Sequence, residues 1–223
     1  MIKNLSKAVL AIVFSLAAGS ANAASYSFTL FDGQDSAYTS PTSINNLGQI
    51  VGWSSNSSSN SHRAMLWNNG VAVDISPQGS FYNYAFSIND SGQIVGISAS
   101  ADANIIRALL WNNGVATDIT PQGSTYSYAS SINNSGQIVG WSHNPADEFY
   151  RATLWNNEVA TQLTHPQGNF TSLARSINNL GQIVGNSASA DGNDRALLWN
   201  NGVATQFTNP QGKVHSVATS IND

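Results

Sequence analysis

The residues with chemistry to offer recur at fixed intervals instead of clustering. Arginine stands at Arg63, Arg107, Arg151 and Arg195, each followed four residues on by Trp67, Trp111, Trp155 or Trp199. Four guanidinium groups facing one opening would form an anion-binding ring, whereas four copies of one bond to a turn carbonyl or carboxylate would form a scaffold. The scaffold role is expected, because a group present in every unit serves every unit alike. The same logic assigns the four tryptophans to packing between neighbouring sheets, where each ring buries a large area. Trp53 and Trp141 stand apart. Their counterparts are Ile97 and Asn186, so the fold tolerates replacement there, and these two are the candidate ligand-binding residues.

Other chemistry finds little support. Asp191-Gly192-Asn193-Asp194 and Asp147-Glu148 offer the hard oxygen ligands that suit calcium. Against this, residues 54–61 at the matching place in the first unit hold no carboxylate, and no EF-hand or nonapeptide pattern is present. His62, His143, His165 and His215 fall in different loops without a zinc-type pair. No Gly-x-Ser-x-Gly, phosphate loop or pair of catalytic carboxylates outside the repeat is found. No catalytic, cofactor-binding or metal-binding residue is assigned, and no cofactor is expected.

Charged residues make up only 9% of the chain, against about 25% in ordinary soluble domains. Asn, Ser, Thr and Gly supply the polarity, which suits turn-rich β structure better than long helices. Residues 1–23 read as a secretory signal, with Lys3 and Lys7 before an apolar run over 8–18 and Ala21-Asn22-Ala23 as the cleavage site before Ala24. The apolar run is too short for a bilayer span, which takes ~20 residues, and no later segment is a candidate. An exported chain, extracellular, surface-bound or periplasmic in a bacterium, is the expectation. Loss of the two leader lysines leaves the mature chain at a net charge of about −6. With no basic run, nucleic acid is not an expected partner. The absence of cysteine means that stability must come from a packed core without disulfides.

The repeat decides the architecture. Ser-Ile-Asn, two variable residues at most, and Gly-Gln-Ile-Val-Gly start at Ser43, Ser87, Ser131 and Ser176, with spacings of 44, 44 and 45, and a fifth start stands at Ser220. Pro-Gln-Gly keeps step at Pro77, Pro121, Pro166 and Pro210. The units are 43–86, 87–130, 131–175 and 176–219, preceded by a partial unit over 24–42 and followed by the start of another at 220–223. Each reads as four short strands. In the second unit the first ends at Ser87-Ile88-Asn89, and the others cover 93–98, 107–112 and 115–120. Turns rich in Asn, Asp and Gly separate them, Asn113-Gly114 being a strong hairpin signal. Apolar residues on both faces of the middle strands suit sheets packed between sheets. Four antiparallel strands per unit predict an all-β, β-propeller-like array of four-stranded blades. Residues 26–31 and 214–222 are expected to add flanking strands, with the full gene continuing to a ring of five or more blades.

The blocks Ile88 to Gly96 and Arg107 to Trp111, with their counterparts in the other units, resemble the HAF-repeat family of extracellular bacterial proteins. Those chains show Ile-Asn-Asp-x-Gly-Gln-Ile-Val-Gly followed by His- or Arg-Ala-Phe-Leu-Trp. The resemblance covers nearly all of the mature chain. It departs where Met65, Leu109, Thr153 and Leu197 replace the usual Phe, and where Pro-Gln-Gly replaces a Leu-Gly-Gly-like turn. It implies export and repetition and no particular activity. Function is therefore expected to be that of a non-catalytic interaction or structural module whose partner is a surface or matrix glycan or a protein. A lectin-like glycan-binding propeller is the alternative, and a propeller hydrolase or lyase the second alternative.

Overall fold

The structure, a computed structural model, describes residues 36–56, 58–165, 171–188, 191–207 and 215–223. The leader, the strand expected at 26–31, and the third and fourth Pro-Gln-Gly turns lie outside the described residues.

Sixteen strands in four antiparallel meanders are present among these residues. Blade one comprises β1 (Ser36–Ile44), β2 (Ile50–Asn56), β3 (Ser61–Asn68) and β4 (Val71–Asp74). Blade two comprises β5 (Tyr82–Ile88), β6 (Ile94–Ala99), β7 (Ile106–Asn112) and β8 (Val115–Asp118). Blade three comprises β9 (Tyr126–Ile132), β10 (Ile138–His143), β11 (Arg151–Asn156) and β12 (Val159–Gln162). Blade four comprises β13 (Ser172–Ile177), β14 (Ile183–Ala188), β15 (Asp194–Asn200) and β16 (Val203–Gln206). The last residues of β1, β5, β9 and β13 converge on one cavity, which makes these the inner strands.

The sequence repeat is out of phase with the blade. Each Ser-Ile-Asn start falls near the end of an inner strand, so residues 36–42 belong to blade one and 82–86 to blade two.

Between blades the core is dry. Val95 and Val139 are fully buried, and Trp67, Trp111, Trp155 and Trp199 are at most 2% exposed. Trp111 Nε1 donates to the Ile75 carbonyl of the preceding blade at 2.7 Å, and Trp155 and Trp199 donate likewise to Ile119 and Thr164. Each of these three rings therefore buries apolar area and satisfies its own N–H in one placement. Serine of the Ser-Ile-Asn block adds a further stitch. Ser87, Ser131 and Ser176 accept from the amides of Ile132, Ile177 and Ile221 in the next unit.

Every inner strand carries a bulge opposite the glycine of Ile-Val-Gly. Gly96 faces Ala85 while Val95 faces Ser87, leaving Phe86 as the extra residue. Thr42, Ser130 and Arg175 hold the same place in the other blades. A Cβ on Gly96 would stand 1.9 Å from the Tyr84 carbonyl oxygen, so only glycine lets the two backbones approach there. Bulges re-aim side chains and recur near binding sites.

Several boundaries differ from the sequence expectation, β7 for instance starting at Ile106 and β6 running on to Ala99. β6 starts at Ile94 because Gln93 closes the turn, its N–H donating to Asn89 Oδ1. β8 stops at Asp118, because the Asp118 carboxylate takes the Thr120 amide while Thr120 Oγ1 takes that of Ala108. The described part of 214–222, residues 215–222, forms no strand. It keeps the inner-strand stitches, Ser216 Oγ accepting from Ala196 and the Asn222 carbonyl from Asn178, without a ladder neighbour of its own.

Candidate functional site

The two ends of the inner strands make two different surfaces. At the turn end a cavity of about 320 Å³ is bordered by five copies of Ile-Asn-Asn or Ile-Asn-Asp, from Ile44 to Asp223. Asn45, Asn89, Asn133 and Asn178 each donate Nδ2 to the backbone carbonyl of the same Asn one unit on, at 2.9–3.0 Å. The Oδ1 of each also accepts the N–H of the glutamine that closes its own turn. The next residue repeats the pattern on the surface: the amides of Asn46, Asp90, Asn134 and Asn179 donate to the side-chain oxygens of Asp90, Asn134, Asn179 and Asp223. Asn46 and Asn134 both donate Nδ2 to Asp90. These bonds, led by the Asn46 amide, hold the Asp90 carboxyl below the usual carboxylate range. The polar groups here are spent on one another, and the belt fixes the spacing of the units.

Further along the inner strands the residues change from blade to blade, and aromatic rings line up. Tyr38 lies 5.3 Å from Trp53, which stands 4.8 Å from His62 and 5.4 Å from Tyr84. Tyr84, Phe86, Tyr128 and Trp141 then follow as near-parallel neighbours, at 6.1, 4.7 and 5.3 Å. Tyr150 closes on the edge of Trp141 at 5.0 Å and meets His143 at 4.9 Å. The band thus runs from blade one into blade three. Most of its rings are half-buried, and Tyr38 and Tyr150 at its two ends are exposed. The Phe86 bulge bridges Tyr84 of its own strand to Tyr128 of the next. Burial pushes the Tyr128 phenol up to about 12, with Tyr84 adding to the rise and the charge of Arg175 opposing it. His62 Nδ1 pairs with the Tyr84 hydroxyl, and burial lowers the pKa of that imidazole.

In blade four the same positions turn polar. The bulge residue is the exposed Arg175, whose Nε donates to Asn186 Oδ1 at 2.8 Å. Buried Asn186, the counterpart of Trp53 and Trp141, donates Nδ2 to Asp194 Oδ1 at 3.0 Å. Asp194 faces His215 at 3.7 Å.

The structure brings both candidate residues, Trp53 and Trp141, into this band, one toward each end. The sequence reading missed Tyr84, Phe86, Tyr128 and Arg175. Their signal was present: at these two inner-strand positions the repeats hold Ser40, Tyr84, Tyr128, Leu173 and Thr42, Phe86, Ser130, Arg175. The repeated arginines are ion-paired. Arg63 and Arg107 face Asp74 and Asp118 from the outer strand at 3.7 and 3.8 Å. Where that outer residue is Gln162 or Gln206, the partner comes instead from the variable loop, as Asp147 at 2.8 Å from Arg151 and Asp191 at 2.6 Å from Arg195. Two of the carboxylates weighed as calcium ligands thus serve arginine. Among the described residues no group of three His, Cys, Asp or Glu side chains is placed to hold a metal.

No family model and no curated protein matches the sequence. Among solved structures the chain is similar to the β-propeller domain of the Trilobed protease from Pyrococcus furiosus, at 11% identity and a TM-score of 0.54, over 77% of this chain and 54% of that one. TolB from Acinetobacter baumannii matches at 14% identity and 0.51, over 77% and 42%. A puromycin-hydrolyzing peptidase of Mycobacterium tuberculosis matches at 10% and 0.53, over 74% and 28%. The chain spans about half or less of the length of these structures, and such identities speak for the fold alone. The protein is an all-β, β-propeller-like array of four-stranded blades. No helix among the described residues is long and apolar enough to cross a membrane.

Proposed function

We propose that the protein is an exported, non-catalytic binding module and that its ligand is a saccharide held by the aromatic band. The observation that carries the reading is the line of rings from half-buried Trp53 to exposed Tyr150, built from positions the fold leaves free to vary. Rings with one apolar face and a phenol or imidazole at the edge suit a sugar, which has C–H faces and a hydroxyl rim. The hydrolase or lyase reading is disfavoured by how the carboxylates are used. Asp74, Asp118, Asp147 and Asp191 each pair with arginine, Asp90 and Asp223 hold the asparagine belt, and Asp102 caps its own loop. The leader and the resemblance to HAF-repeat chains support export.

A glycan array and calorimetry on the chain from residue 24 onward test the binding. Retention of oligosaccharides is expected, with loss in Trp141→Ala at a nearly unchanged melting temperature. Failure to retain any saccharide, together with capture of a protein partner, would return the plain interaction-module reading. Export is checked by expressing the whole gene in a bacterium, where a mature N-terminus at Ala24 outside the cytoplasm is expected. An intact leader on cytoplasmic protein would overturn it.

A further inference from the structure

Arg175 is unlike every other described arginine. The four repeated ones each lie within 4 Å of a carboxylate, and Arg175 has none among the described residues. Its counterparts are Thr42, Phe86 and Ser130, so no unit needs a cation there to fold. The bulge that places it is supplied by the scaffold, through the close approach of Gly185 to the Leu173 carbonyl. The guanidinium is also held. Its Nε is spent on Asn186 Oδ1, and the buried Asn186 amide is fixed in turn by Asp194. That leaves the two terminal nitrogens of an exposed guanidinium oriented and without a partner among the described residues. A fork of this kind matches a carboxylate in bidentate fashion, more closely than a point charge would. Its strand, β13, packs beside β9 and β10, the Ile177 amide donating to Ser131 Oγ two residues along from Arg175, and these strands carry Tyr128 and Trp141.

We propose that the seam of blades three and four binds an acidic saccharide, with Arg175 taking the carboxylate of a uronic acid residue while the solvent-facing rims of the Tyr128 and Trp141 rings line the sugar. This rests on the saccharide reading above and narrows it to a charged class. The mature chain is itself acidic, but fields from distant charges fade beyond about 10 Å at ordinary ionic strength. The local guanidinium therefore decides the contact.

The test is calorimetry on the mature chain with uronate oligomers of galacturonate, mannuronate and glucuronate type, each alongside its methyl ester, which keeps the skeleton and removes the charge. At least one acid should bind about tenfold or more tightly than its ester, the size of a charge-assisted hydrogen-bond pair. Arg175→Gln should erase that preference, bringing the acid and its ester to similar affinities, with a modest fall in melting temperature from the lost bond to Asn186 Oδ1. Arg175→Lys should restore it only in part. Equal affinity of acids and esters in the natural chain overturns the proposal and leaves the saccharide reading standing. Equal binding of a sulfated neutral oligomer overturns the carboxylate assignment. Binding of no saccharide of either kind overturns both readings.

Discussion

The inner strands run from a varied end to a uniform one, and the contrast separates scaffold from chemistry. At the uniform end the same Asn side chain bridges to the next unit four times over, from Asn45 to Asn222. Identity is required there, because each side chain completes its neighbour's hydrogen bonds and a change in one unit leaves a buried group in the next unpaired. At the varied end the corresponding residues run from Ser40 and Thr42 to Leu173 and Arg175. Thr42 Oγ1 donates to the Ala85 carbonyl of the next blade, but Phe86 and Arg175 hold the matching place without a hydroxyl, so these positions can specialise. A repeat protein of this kind keeps its units in register with what it repeats and does its particular work with what it does not.

The largest expected effect tests the line between the two sets of tryptophans. Trp111 is 1% exposed and bonded to the preceding blade, so Trp111→Ala should cost about 3–5 kcal/mol, as for a large aromatic removed from a core. Trp53 lies half-buried in the band, at a position where Asn186 is accepted in blade four. Trp53→Ala should lower the melting temperature far less while weakening saccharide binding. Thermal melts of both variants check this, and equal losses would abolish the division.

Next comes the belt. Asn133 Nδ2 donates to the Asn178 carbonyl and to Gln137 Oε1, and its Oδ1 accepts the Gln137 amide. Asn133→Ala orphans several of these groups at a buried site and should cost about 1–3 kcal/mol. Ser130→Ala, three residues away at the bulge, should cost little. Denaturant titration of the pair measures how steeply constraint falls along one strand.

How far these regions were legible in the sequence follows from the same contrast. The strands, the hairpins and the packing role of Trp111 could be read because each was stated four times with the same physics. Where repetition failed, reading failed. The bulge was invisible because it depends on two strands meeting, Gly96 against the Tyr84 carbonyl. The aromatic residues could be seen as departures from the repeat, but not as a band, because Tyr84 and Tyr128 lie 44 residues apart and become neighbours only through the Phe86 ring. The strand expected over 214–222 was misjudged because its composition matches β5 and β9, while strand structure also needs a ladder partner.

A smaller gain is expected at one hairpin. Blades one, two and four turn on Asn-Gly, and blade three on Asn157-Glu158, where Glu158 has φ of 64°. A side chain in that left-handed region costs about 1–2 kcal/mol, and glycine avoids most of it. Glu158→Gly should therefore raise stability by about 1 kcal/mol, read as a later melting midpoint, whereas Gly114→Glu in blade two should lower it by a similar amount.

The smallest effect probes whether the blades are interchangeable at their outer edge. Arg151 takes its carboxylate from the loop, at Asp147, where Arg63 and Arg107 take theirs from the fourth strand, at Asp74 and Asp118. Gln162 occupies the matching register, opposite Thr153 as Asp118 is opposite Leu109. Arg151, which bonds to Asp147 through two nitrogens, holds that carboxyl below the usual carboxylate range. A depressed carboxyl pKa contributes stability that is complete above the ordinary carboxylate range and is lost as the pH falls through it. Asp147→Ala should thus cost no more than about 1 kcal/mol at neutral pH and nothing in strong acid, where the natural chain has lost the pair as well. Adding Gln162→Asp should return most of the loss at neutral pH, because the register already presents that position to the guanidinium in blades one and two. Melting curves of the single and double variants at neutral and acid pH check both statements. A double variant no more stable than Asp147→Ala would mean that blade three differs from its neighbours in more than the source of one carboxylate.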